Sequence, residues 1–350
     1  MTSTTVKMNA PEAGWLRGPR FDTFFILGTL TLAVISGLVV LWSPALFQLV
    51  LMIDLWFLGY HHVVSTYTRL CCDEQSFQEN KFLIVYLPFI VLGAVVALAQ
   101  GFGIWILTTI YLYWQWFHYT RQSWGIGQVY RRKENELITE DDRLLKAVFY
   151  MLPLWGILYR SWQSPDSFLF LSVWTLPVPR IAVDMVGTAT VIVLAFWALG
   201  RMRMYRANSL PLAHTIYTVS HLTVFGAGYL LIENITIGWL VINIWHNAQY
   251  VLFVWIFNTK RFKGGVQKEA KLISHLSQVK NWPYYFGFCM VLTVLLYKGL
   301  SAAQGWLELV GLAPMIIIYQ TINFHHYVVD SMIWKIRKPK IQKTLGLDNH

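Results

Sequence analysis

Residues 23–42 read TFFILGTLTLAVISGLVVLW, twenty positions without a charged side chain, about the length of α-helix that crosses the hydrocarbon core of a bilayer. Working outward from this run, comparable apolar stretches fall at 21–42, 45–68, 82–100, 102–120, 145–159, 181–200, 212–232, 235–258, 284–303 and 305–334 of the 350 residues. The expected fold is therefore all-α: a polytopic transmembrane helical bundle of about ten spans over 21–334, flanked by a polar tail at 1–20 and a basic tail at 335–350. Composition agrees, with 56% apolar and only 13% charged residues against roughly 25% charged in soluble domains. That balance excludes a soluble enzyme, a disordered scaffold, a collagen-like fibre and a coiled coil. Three cysteines, two of them the neighbours Cys71 and Cys72 and the third, Cys289, in an apolar run, make no disulfide framework.

Basic residues set the expected orientation, because Lys and Arg accumulate in cytoplasmic loops. With the N-terminus inside, 25 of the 28 Lys and Arg fall on the inner side, the exceptions being Arg160, Arg180 and Lys298. Both termini are then cytoplasmic, and the protein is integral to the cytoplasmic (inner) membrane if its source is bacterial. The net charge of +10 follows from topology and attraction to anionic headgroups, so nucleic acid is not expected as a partner. The polar first twenty residues lack the apolar core of a cleavable signal, and the run that follows reads as an anchor. Arg131, Arg132 and Lys133, followed by Glu134, Glu136, Glu140, Asp141 and Asp142, read as a solvated mixed-charge loop. Gly125-Ile126-Gly127 lacks the third glycine and the strand of a dinucleotide site.

The histidines carry the functional signal. Of ten, eight fall within or at the ends of expected spans: His61, His62, His118, His214, His221, His246, His325 and His326. Ionisable side chains are costly in a bilayer and mark functional sites there. By helical rise, these imidazoles lie in the half of the membrane nearer the basic loops, roughly 5 Å (His118) to 21 Å (His246) from the nearest basic residue. Five helices thus bring imidazoles to one leaflet, as a transition-metal centre requires. The adjacent pairs His61-His62 and His325-His326 diverge by about 100° on a helix, so both members serve only if they address two metals or if one supports the other. This favours a dinuclear centre. A histidine-rich shell with few carboxylates suits iron better than calcium or magnesium. Asp54, seven residues before His61, and Asp330, four after His326, stand at same-face spacings as ligands or as acceptors that orient an imidazole. Gln249, Gln122, Asn247, Asn323, Tyr67 and Tyr327 are weaker candidates. The ring-dense stretch Tyr111 to His118 suits the wall of a slot for a long apolar or polyene substrate.

The segments HHVVSTYTR (61–69), FHYTRQSWG (117–125), HTIYTVSH (214–221), WHNAQY (245–250) and NFHHYVVD (323–330) together resemble, in style, the integral-membrane, histidine-rich non-haem iron enzymes of the desaturase, hydroxylase and carotene dioxygenase types. The desaturase spacings HxxxH and HxxHH do not occur. The resemblance implies iron, dioxygen and a lipid-like substrate entering laterally from the membrane.

The expected function is a membrane-bound non-haem iron oxidoreductase, preferably di-iron, that activates dioxygen to hydroxylate, desaturate or cleave a hydrophobic substrate. No flavin or nicotinamide motif is visible, so hydroxylation or desaturation needs a partner reductase, whereas a dioxygenase needs none. Two other classes stay open: a haem- or quinol-linked electron-transfer protein with axial histidines, and a proton-coupled or metal transporter using His and Asp as a relay.

Overall fold

The computed structural model describes residues 14–134, 140–302, 304 and 313–347. Most of the expected N-terminal tail, Glu136 and the start of the expected tenth span lie outside the described residues. Helix makes up 83% and strand 1%, so the fold is all-α. The long helices are α1 (Pro19–Trp42), α2 (Pro44–Leu70), α3 (Glu74–Phe102), α4 (Ile104–Lys133), α5 (Asp142–Gln163), α6 (Arg180–Arg206), α7 (Leu212–Gly226), α8 (Ile235–Arg261), α9 (Trp282–Ala302) and α10 (Pro314–Ile333). One helix occupies each expected segment. Among the described residues, however, only six helices are long and apolar enough to cross a membrane: α1, α2, α3, α6, α8 and the helix containing α9. The ten-span expectation is narrowed accordingly. The other four are short, like α7, or carry the polar load, like α4 with Gln115, His118 and Ser123 and α10 with Gln320, His325, His326 and Asp330.

Local chemistry sets the boundaries. Pro44 opens α2, and its missing N–H costs nothing at a helix start. Asp73, Asp141 and Asn234 accept the first free amides of α3, α5 and α8. Gly103, at φ +93°, separates α3 from α4 in a conformation that a β-carbon disfavours. Four π-helical turns, Phe24–Gly28, Leu55–Gly59, Phe82–Tyr86 and Ala227–Leu231, interrupt α1, α2, α3 and the end of α7. Such turns recur at functional sites.

Helix α8 is apolar and buried nearly all round, the signature of a central helix. It packs on α1, α2 and the end of α7, while α10 packs on α2, α3 and α4 and α6 lies against α5. The outer helices turn large apolar side chains outward, among them Trp42, Phe89, Ile181 and Phe196, as a lipid-facing surface does. A two-residue hairpin, Ser167–Phe168 with Leu171–Ser172, presses the buried Phe168 against Tyr111 and Trp239.

Two contacts fix the turn into α8 and the start of α7. Gly228 and Gly238 meet backbone to backbone: a β-carbon on Gly228 would lie 2.6 Å from the Gly238 carbonyl, and one on Gly238 would collide with the Gly228 carbonyl. Gly238→Ala should therefore destabilise the protein by about 1–3 kcal/mol through forced backbone movement, read as a lower midpoint in thermal unfolding in detergent. A midpoint unchanged from wild type would contradict this packing.

Helix α7 begins after Pro211, which offers no capping side chain. The buried Glu134 carboxylate substitutes, accepting from the amides of Ala213 (3.0 Å) and His214 (3.2 Å). Burial pushes this carboxyl up to about 7, while the two amides and Arg201 pull it down. A carboxyl raised above its unfolded value is protonated longer when folded, so its contribution to stability falls as pH rises from about 4.5 to about 7 and is level above. Unfolding midpoints measured across that window should show this slope in the wild type and lose it in Glu134→Gln.

Candidate metal centre

Three helices deliver imidazoles to one buried point, α2 with His62, α4 with His118 and α10 with His326, and α8 packs His246 beside them. The ligand atoms of His62, His118, His326 and Asp330 all lie within 4.8 Å of one another. His62 Nε2 and His326 Nε2 are 2.6 Å apart, and Asp330 Oδ2 lies 3.4 Å from His326 Nε2. The His246 ring centres 4.8 Å from that of His62 and 5.0 Å from that of His118. Side-chain oxygen and nitrogen atoms in such surroundings are nearly always paired. Here His118 Nε2, His246 Nε2 and Asp330 Oδ2 are buried and without a hydrogen-bond partner. The donor types fit a transition-metal ion, since imidazole nitrogens with one carboxylate suit iron, zinc or copper; donors around such an ion lie about 3–4 Å apart, a separation that the spread from 2.6 to 4.8 Å found here brackets.

The surroundings fix the chemistry of each donor. The His62 Nδ1–H donates to Asn247 Oδ1 at 2.9 Å, which leaves the Nε2 lone pair facing the centre. The orientation of Asn247 is set in turn, because its amide nitrogen donates to Asp54 Oδ1 at 3.4 Å. Asn243 donates to Asp54 Oδ2 at 2.6 Å and accepts from the Tyr119 hydroxyl at 2.5 Å, and the Tyr119 ring lies 4.1 Å from His246. On the opposite side the Tyr250 hydroxyl donates to Asp330 Oδ1 at 2.7 Å while accepting from Trp334 Nε1 at 3.0 Å. Its ring stacks on His62 at 4.0 Å and 4°, and Tyr327 stacks on His118 at 4.3 Å. His62 is thus held by a hydrogen bond and a stacked ring, and His118 and His246 by ring contacts.

The remaining sequence candidates lie elsewhere, each for a physical reason. Pro153, inside α5, has no N–H to give the carbonyl four residues back. His221 Nε2 donates to that Phe149 carbonyl at 2.9 Å, and its Nδ1 meets Ser123 Oγ at 2.8 Å, so both nitrogens are spent. His325 Nε2 donates to the Leu83 carbonyl at 2.7 Å, within the π-helical turn that precedes Pro88. His214 Nδ1 accepts from Arg201 at 3.1 Å, beside the buried Arg201–Glu140 ion pair at 2.8 Å. This corrects in part the expectation of a solvated mixed-charge loop: the Glu134 and Glu140 side chains are buried, whereas Asp141 and Asp142 are exposed. His61 turns its ring edge onto Phe286 of α9. Asp54 touches no imidazole and acts through Asn247. One member of each adjacent pair therefore faces the cluster and the other packs between helices, and among the described residues one group of His and Asp ligand atoms stands close enough to share an ion. Gln249 accepts from Tyr217, away from the cluster. Sequence reasoning passed over Tyr250, Asn243 and Tyr119, although Tyr250 stands four residues after His246 and shares its face.

Space adjoins the cluster on two sides. A cavity of about 210 Å³ reaches His118, Tyr250 and Asp330 past Arg121 and Gln122. A pocket of about 30 Å³ touches His62, His246, His326 and Asn323, and its Tyr60 and Tyr111 also border a cavity of about 980 Å³ walled by Trp56, Trp105 and Trp239.

No protein-family model, curated protein or solved structure matches the chain.

Replacing the residue that orients His62 should weaken metal binding without removing a ligand. Asn247→Leu should lower metal affinity by about 10- to 100-fold, measured by competition with a chelator of known affinity. Unchanged affinity would contradict the role given to the Asp54–Asn247–His62 chain.

Proposed function

We propose that the protein is a multi-pass membrane oxidoreductase in which His62, His118, His246, His326 and Asp330 hold one non-haem iron and act with dioxygen on a hydrophobic, lipid-like substrate. The observation that carries this reading is the set of buried, unpartnered His118, His246 and Asp330 atoms meeting His62 and His326 between two cavities. In the same reading the four polar helices join the six apolar ones in the membrane, and both termini face the cytoplasm.

Iron supplies, when bound, the one-electron redox chemistry and dioxygen activation that no protein side chain provides. The chain's own residues do the rest. Asn247 holds His62 in the tautomer that offers Nε2. Tyr250 occupies Asp330 Oδ1 and leaves Oδ2 toward the centre. Tyr60, Tyr111, Tyr119 and Tyr327 narrow the approach to the imidazoles, which excludes bulk water and protects reactive species from side reactions. The larger apolar cavity provides space within the range of ligand sites. Electrons for a hydroxylation or desaturation come from a partner reductase, and a dioxygenase reaction needs none.

The pocket touching the imidazoles, about 30 Å³, is far smaller than the several hundred Å³ of a cofactor site, which weighs against a haem lying between His62, His246 and His326. A relay for transport calls for titratable groups through both halves of the bilayer, whereas these five side chains form one knot.

Metal analysis of the detergent-purified protein tests the reading. About one iron per chain without a haem absorption band is expected, and His118→Ala and His246→Ala should each remove most of it. Iron content unchanged in both variants, two irons per chain, or stoichiometric haem would overturn it.

A further inference from the structure

One face of α10 runs through Ile316, Gln320, Asn323, His326 and Asp330 at spacings of three and four residues. It links the large apolar cavity to the cluster. Met315, Ile316, Tyr319 and Gln320 border the 980 Å³ cavity, and Asn323 and His326 border the small pocket beside the imidazoles. At the neck between them the Tyr60 and Tyr297 rings stack at 3.7 Å, and the Tyr111 and Tyr319 hydroxyls lie 3.2 Å apart.

The walls of the large cavity are mostly apolar, and several of their polar atoms are spoken for. The Trp239 ring N–H donates to Gln115, and the Thr108 hydroxyl donates to the Ile104 carbonyl. Gln320 is different. It is 1% exposed, yet its Oε1 has no partner. A buried amide oxygen left unpaired in an apolar wall is costly, and a ligand hydroxyl would recover that cost. A hydroxyl both donates and accepts, so it matches the carboxamide whichever way the amide is turned. Among the described lining residues the one cation is Lys298, which is exposed to solvent or lipid, whereas Gln320 is buried and neutral, so the group that meets Gln320 is itself uncharged.

We propose that this cavity binds a long, uncharged apolar molecule carrying a hydroxyl group, with the hydroxyl on Gln320 and the chain along the apolar walls of the cavity, one stretch of it facing the tyrosine neck. That this ligand is the substrate rests on the metal reading above; that the cavity binds it does not. Gln320 precedes His326 by six residues, roughly 9 Å along the helix, so the carbon presented to the centre lies about that far from the hydroxyl.

The test is binding of three probes of equal chain length to the full-length protein as purified in detergent: hexadecan-1-ol, palmitate and hexadecane. A shift in tryptophan emission reports occupancy, since Trp56, Trp105 and Trp239 line the cavity. Hexadecan-1-ol should bind the wild type most tightly. Gln320→Leu should weaken it by about tenfold or more while leaving hexadecane affinity and iron content unchanged. Hexadecane or palmitate binding the wild type as tightly as the alcohol would overturn the inference, as would a Gln320→Leu variant that retains full alcohol affinity. If that variant loses hexadecane as well, the cavity has been disturbed, and the order of the three probes on the wild type decides alone. Failure of the probe order leaves the metal reading standing, because iron content is measured separately.

Discussion

Three imidazoles and a carboxylate share one buried point with the His246 ring packed beside them, several of their nitrogen and oxygen atoms find no protein partner, and the rest of the structure is arranged around that constraint. Polar atoms withdrawn from water without partners are costly, and a cation at their meeting point removes the cost. The cost is borne at the centre of the fold, on α8, where Asn243, His246, Asn247 and Tyr250 are buried among apolar residues. Three of them bond to other helices: Asn243 to Asp54 and Tyr119, Asn247 to Asp54 and His62, and Tyr250 to Thr66 and Asp330. The site and the core of the bundle are therefore one object, and loosening either disturbs the other.

The sequence showed that imidazoles on several helices have something to meet, and it paired His326 with Asp330 because four residues make one helical turn. It paired Asp54 with His61 by the same logic, at seven residues, and there the structure differs. The π-helical turn Leu55–Gly59 lies between them. A wider turn absorbs one extra residue, so the position eight residues on takes the place expected for the position seven residues on. His62, not His61, thus comes round to the side of Asp54, and Asn247 joins the two. Residue patterns do not announce a π-turn, which is why the face of each adjacent histidine pair was not legible.

His221 teaches a related lesson. In the sequence it is a polar residue in an apolar helix, at the same spacing rules as the others. Its use was set by Pro153, on a different helix, which strips the Phe149 carbonyl of its usual donor. Histidine is a good repair for a broken helical bond as well as a good ligand, and the two roles separate only once the neighbouring helix is in place. The helix positions themselves were legible from apolar runs, because burial and lipid exposure both demand them. Among the described residues six of these helices are apolar enough to cross a membrane, while helices such as α4 and α10 read as apolar stretches although they carry the polar side chains of the site.

The central claim is that these side chains bind one ion together. X-ray absorption at the iron edge of the purified protein reads the coordination shell directly. The account predicts a nitrogen-dominated shell with the ring scattering of several imidazoles and a minor carboxylate oxygen contribution. A shell of water and carboxylate oxygens alone, or one containing sulfur, would contradict it.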